Sequence, residues 1–206
     1  MIISFEGIDK SGKSSISTLL HGYLVNLGKR AIHVREPGGT EQGEKLRAIL
    51  KQEKLDVLSE VYLLAASRHL LIDQRVKPAL EDGYIVIFDR YFDSSLVYQG
   101  CRGMSEQEIW NITKYAVAGY RPTVTFLLDI PVEVAVARGL GKDGELDKVE
   151  DRGLDYFRRV RDRYLERACD DKNRWHVIDA TLKEQEVFNQ VSEIIDFILR
   201  QPPVFG

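Results

Sequence analysis

Five short apolar runs, at residues 2–5, 31–34, 84–88, 124–128 and 176–178, punctuate a chain otherwise built of longer amphipathic stretches. Runs of this length with little polar interruption predict strands buried on both faces, as in a parallel sheet. Between them, apolar residues recur at three- and four-residue intervals, as Ile16, Leu19, Leu20, Tyr23 and Leu24 do. That spacing predicts helices over residues 13–27, 41–50, 59–80, 106–118, 132–138, 153–168 and 183–200. Strands alternating with such helices specify an α/β fold, a five-stranded parallel sheet flanked by helices in three layers. The 206 residues suffice for one domain with a sizeable core, spanning residues 1–206.

In sheets of this kind ligands bind beyond the carboxyl ends of the strands, which directs attention to residues 6–14, 35–40, 89–99 and 179–184. The first of these contains Gly7-Ile8-Asp9-Lys10-Ser11-Gly12-Lys13-Ser14, which fits the G-x-x-x-x-G-K-[ST] pattern of a phosphate-cradling loop and lies between a predicted strand and a predicted helix. Glycines 7 and 12 let the backbone bend around a triphosphate. Its N–H groups and the helix N-terminus supply partial positive charge, and Lys13 adds a full one. Ser14 is placed to bind Mg²⁺, and Asp89, at the end of the third strand, can hold the same Mg²⁺ shell while Arg90 reaches phosphate oxygens.

Composition narrows the partners. A net charge of −3 argues against a nucleic-acid coat or a polybasic membrane surface, so any anion site is local. Cys101 and Cys169 lack metal-ligand spacing, which fits a reduced compartment. The N-terminal apolar run is a strand rather than a signal peptide, and no run approaches membrane-spanning length. A cytoplasmic protein with no nucleic-acid or membrane partner is expected. Residues 139–145, with three glycines and alternating charge, read as a mobile loop that is either a lid or a plain surface connection.

Four further segments sharpen the reading: Arg35-Glu36-Pro37-Gly38-Gly39-Thr40, Ala66-Ser67-Arg68, Asp89-Arg90-Tyr91 with Ser94 to Gly100, and Leu146-Asp147-Lys148-Val149-Glu150. Together with the phosphate loop they resemble the thymidylate kinase family of P-loop nucleoside-monophosphate kinases, in order along nearly the whole chain. The resemblance implies transfer of the ATP γ-phosphoryl group to dTMP with Mg²⁺, by a homodimer with a small lid at about residues 139–152. It also implies an ATP site of Gly7, Ile8, Asp9, Lys10, Ser11, Gly12, Lys13, Ser14, Ser15, Lys142, Asp179 and Ala180. By the same likeness the acceptor site comprises Asp9, Glu36, Pro37, Leu64, Arg68, Arg90, Ser94, Ser95, Tyr98 and Gln99. Asp9 would accept from the sugar 3′-hydroxyl, Arg68 would meet a thymine carbonyl, and Tyr98 would pack near the sugar and exclude a ribose 2′-hydroxyl.

This chain departs from the family pattern in two places. Leu64 stands where the family usually has a phenylalanine stacked on thymine; leucine covers a base by dispersion but cannot stack. Lys148 stands where an arginine is expected. The cations available to the transferring phosphoryl are Lys10, Lys142, Lys148 and Arg152, and spacing does not choose among them. The resemblance implies Lys13, Arg90, Asp9, Lys10 and Lys148 as the catalytic set, and Ser14 and Asp89 as the metal ligands. A kinase for another acceptor, such as dUMP or a deoxynucleoside, and a nucleotide-binding paralogue without transfer are the alternatives.

Overall fold

The computed structural model describes residues 1–140 and 146–201, with backbone alone for residues 146–152. Strands β1 (Ile2–Glu6), β2 (Ala31–Arg35), β3 (Ile85–Asp89), β4 (Val124–Asp129) and β5 (Trp175–Asp179) form one parallel sheet in the order β2-β3-β1-β4-β5. Around it run α1 (Lys13–Asn26), α2 (Glu41–Gln52), α3 (Val57–Leu71), α4 (Lys77–Glu81), α5 (Phe92–Tyr98), α6 (Glu106–Val117), α7 (Val132–Ala137), α8 (Leu146–Asp170) and α9 (Glu184–Arg200). All five expected strands are present, each ending one residue later than expected, with β3 also starting one residue later and β5 one residue earlier.

The central strand shows why the pattern was readable. Every residue of β1 is buried, because helices cover both faces of the sheet. Ile3 and Phe5 enter a core with Leu20, Leu24, Phe126, Val160, Val191 and Ile195, which lie on α1, β4, α8 and α9. Ile2 points the other way and joins Val34, Val61, Leu71, Phe88 and Ile109, as the two-residue strand period dictates. The polar Ser4 is tolerated at full burial because its hydroxyl meets Thr125 Oγ1 at 2.8 Å on the paired strand.

Two helices differ from expectation. The single helix expected over 59–80 is α3 and α4 joined through a π-helical turn at Ile72–Val76, a local widening that the apolar spacing alone does not encode. The helix expected to begin at residue 153 extends back to Leu146 across a non-helical Gly153 (φ 69°, ψ 164°), a conformation open to glycine because it lacks Cβ. Of the expected lid, residues 141–145, with Lys142, lie outside the described residues.

The neighbours β1 and β3 send their onward connections to opposite sides of the sheet, β1 to β2 and β3 to β4. Such a switch point opens a crevice at the carboxyl ends of the two strands.

Candidate active site

That crevice is a cavity of about 610 Å³. At one end lies the loop after β1. Gly7 adopts φ 138°, and a Cβ there would meet the Leu128 carbonyl oxygen at 2.6 Å, so the chain crosses the end of β4 only as glycine. Gly12 (φ 95°) stands at the N-cap of α1 and supplies no side-chain cap, which leaves the first N–H groups of the helix available to an anion. Lys13 is 5% exposed, its Nζ donating to the Ile8 carbonyl (2.7 Å) and Ser11 Oγ (3.3 Å). Burial lowers its pKa to about 8, with the Arg90 charge adding to the effect. A lysine so dehydrated gains most from an incoming phosphate. Ser14 Oγ donates to Asp89 Oδ2 at 2.5 Å, so the two expected metal ligands do converge, and their hard oxygens suit Mg²⁺. Lys10 (φ 64°) and Ser15 also line the cavity.

At the other end, Glu60, Leu64 and Arg68 follow one another at four-residue intervals on α3 and face the cavity. Arg68 is 1% exposed. Its Nε donates to Glu36 Oε2 at 2.8 Å and its Nη2 to Ser95 Oγ at 3.0 Å, the partners a buried guanidinium requires. Among the described residues, three buried polar atoms here have no hydrogen-bond partner: Arg68 Nη1, Glu36 Oε1 and Gln99 Oε1. Burial raises the Glu36 carboxyl pKa against the pull of Arg68. Unpaired groups of this kind, desolvated and lining a cavity, are suited to a ligand that supplies the missing bonds.

Between the two ends stands Arg90, in a left-handed backbone conformation (φ 68°). It donates to the Gly7 carbonyl (3.0 Å), Ser94 Oγ (3.2 Å) and Tyr98 OH (3.3 Å), and pairs with Asp9. Tyr98 OH donates to Asp9 Oδ2 at 3.1 Å. Burial alone would raise the Asp9 pKa, but Arg90, Lys13 and the Tyr98 hydroxyl together hold it below the ordinary value. Asp9, Arg90, Ser94 and Tyr98, all expected at the acceptor site, thus form one hydrogen-bonded network.

Behind the network is Glu6, fully buried. It accepts from the Tyr91 N–H (2.8 Å), the Ser94 hydroxyl (2.6 Å) and the Tyr164 hydroxyl (3.0 Å). The sequence reading missed it because a glutamate at the end of an apolar run looks like the strand reaching solvent. Arg47 was missed too; it lines the cavity and donates to the Pro37 carbonyl at 2.7 Å, although its place on an amphipathic helix marks only a surface cation. Arg138 lines the cavity and donates to the Ala180 carbonyl at 2.8 Å. Asp179 and Ala180 themselves lie outside the cavity lining, with Asp179 Oδ1 accepting from the Thr181 N–H and hydroxyl. Of the lid cations, Lys148 and Arg152 are described only as helical backbone.

Comparison with known proteins agrees with this geometry. The sequence model of one family, described as "Thymidylate kinase", matches residues 5–191. The thymidylate kinase of Thermosipho melanesiensis is 44% identical over 200 residues, covering 97% of this chain and 99% of that one. That of Kosmotoga olearia is 41% identical over 202 residues, covering 97% and 96%. The crystal structure of thymidylate kinase from Ehrlichia chaffeensis superposes with a TM-score of 0.77 at 30% identity, over 95% of this chain and 98% of the other. A five-stranded parallel sheet, a phosphate loop at its switch point and relatives alike from end to end lead to one conclusion: the chain belongs to the thymidylate kinase family.

Proposed function

We propose that this protein transfers the γ-phosphoryl group of ATP to dTMP, giving dTDP and ADP. The observation that carries the reading is the two-ended cavity: a desolvated lysine and an uncapped helix N-terminus at one end, and at the other a buried arginine, carboxylate and amide with bonding capacity to spare. One end suits a polyphosphate and the other a polar, flat ring.

The acceptor phosphate is already an anionic nucleophile at neutral pH, so the chain's work is alignment and charge neutralisation. The phosphate loop, residues 7–15, receives the ATP phosphates and Lys13 neutralises their charge. Arg90 bridges toward the acceptor phosphate while Asp9 fixes its guanidinium and accepts from the sugar. Arg68, Gln99, Leu64, Ser95, Glu36 and Pro37 wall the base, and Tyr98 the sugar. Mg²⁺, held beside the phosphate loop by Ser14 and Asp89, would screen the phosphate charge. Lys10, Lys142, Lys148 and Arg152 supply the remaining cations, and Asp179 and Ala180, reached through Arg138, border the adenine. A homodimer is part of the same reading, supported by the exposed Leu58 and Tyr62 on α3 and Tyr115 on α6. A cytoplasmic protein belongs to the same reading; among the described residues no helix is long and apolar enough to cross a membrane.

Purified protein given ATP, Mg²⁺ and in turn dTMP, dUMP, dGMP, dCMP and thymidine tests the reading. The expected result is dTDP as the main product, lost in Lys13→Ala and Arg90→Ala; equal or faster reaction of another acceptor refutes the substrate. Leu64, which offers no ring to stack, is the residue that favours a looser pyrimidine preference.

A further inference from the structure

The amide of Gln99 is buried at 7% exposure beside Arg68, whose Nη2 bonds Ser95, one helical turn before Gln99. A glutamine amide can face either way, donor or acceptor inward. Here the choice is made from behind. Gln99 Nε2 donates to Glu60 Oε2 at 3.1 Å, and Glu60 is itself ion-paired with Arg102. An ionised carboxylate only accepts, so it captures the NH₂ side and turns Gln99 Oε1 the other way, where it is buried without a partner among the described residues.

We propose that Glu60 is a specificity-determining positioning residue, which by holding the Gln99 amide in one orientation makes the cavity select a pyrimidine with a ring N–H and reject an aminopyrimidine. The inference rests on the acceptor reading above. The wall then presents a donor, Arg68 Nη1, and an acceptor, Gln99 Oε1. Thymine and uracil offer the complement, a carbonyl oxygen next to the N3–H. Cytosine offers the reverse at both positions, an amino group to the guanidinium and an N3 lone pair to the carbonyl oxygen. Both mismatches are desolvated, and neither side finds water. Were the amide to turn over, its NH₂ would meet the cytosine N3 favourably, so discrimination depends on a residue that need not touch the base.

The test is the ratio of kcat/KM for dTMP to that for dCMP, measured with ATP in the unaltered protein, Glu60→Gln and Glu60→Asp. In Glu60→Gln, which keeps shape but lets both amides rotate, the ratio is expected to fall roughly ten- to hundredfold. The change should lie in KM, with kcat on dTMP held within about threefold, a split that general loosening of the fold would not produce. An unmoved ratio in a folded Glu60→Gln overturns the proposal, as does an unaltered protein that accepts dTMP and dCMP alike. Should Glu60→Gln fail to fold, Glu60→Asp, which keeps a carboxylate for Arg102 but withdraws it by one methylene from the Gln99 amide, decides: a comparable fall supports the proposal and an unmoved ratio overturns it. An unaltered protein inactive on dTMP defeats the acceptor reading itself, and that outcome is seen before any variant is compared.

Discussion

Arg90 and Asp9, 81 residues apart in sequence, meet as an ion pair that ties the phosphate loop to the turn after β3. Because Tyr98 bonds both partners, the three side chains hold one geometry between the two ends of the cavity. Arg90→Ala and Asp9→Ala are each expected to lower kcat/KM for dTMP by roughly hundredfold or more. The double variant should lose much less than the product, since the two act through one contact. Steady-state kinetics on the four proteins of this cycle provide the check, and strictly multiplicative losses would show the pair to act independently.

Leu64 lines the cavity from α3, one turn before Arg68. Leu64→Phe restores a ring that can stack on a flat base, worth about 0.5–1.5 kcal/mol beyond the area covered. The expected outcome is dTMP binding tighter by roughly three- to tenfold in calorimetry, with kcat little changed. Equal affinity would mean that another ring already covers the base.

The Glu6 carboxyl predicts a pH dependence of stability. Burial, reinforced by the neighbouring Asp93 charge, raises its pKa from 4.5 to about 7, with the Ser94 hydrogen bond opposing. Between those values the folded protein holds a proton that the unfolded chain has released. The Glu6 contribution is therefore complete below about pH 4.5 and is lost as pH rises through 7. Glu6→Gln cannot titrate, so denaturant unfolding across that interval should show the unaltered protein losing on the order of 2 kcal/mol relative to the variant. Parallel curves would contradict the assignment.

Much of this molecule was legible from its sequence. Strands buried on both sides leave unbroken apolar runs, and a loop that must bend around phosphate leaves glycines at fixed spacing, so β1, the turn at Gly7 and the start of α1 could be read directly. The strand order could not, because local periodicity carries no record of which side a crossover takes. Nor could the backing of the site. Glu6, Tyr164 and Glu60 act through partners distant in the chain, and a charged residue in an amphipathic helix, such as Arg47, looks the same whether it faces water or a cavity.

Lys148 is one of four cations, with Lys10, Lys142 and Arg152, that could neutralise the transferring phosphoryl group. Lys148→Ala should lower kcat by about tenfold or more while leaving dTMP affinity near its original value, because charge at that position matters most in the transition state. Equilibrium binding beside turnover measurements separates the two effects, and unchanged turnover would assign the task to Lys10.

Asp93, with no exposed surface, is held by Arg167 at 2.6 Å from α8 and by Arg174 at 2.6 Å from the threshold of β5. A carboxylate so enclosed is costly without its counter-charges, and both arrive late in the chain. During synthesis, the half of the protein that carries the phosphate loop must therefore wait, with Asp93 still hydrated, until the ribosome has delivered residue 174. A product cut short before that point should stay open and vulnerable to proteases, however complete its nucleotide motifs.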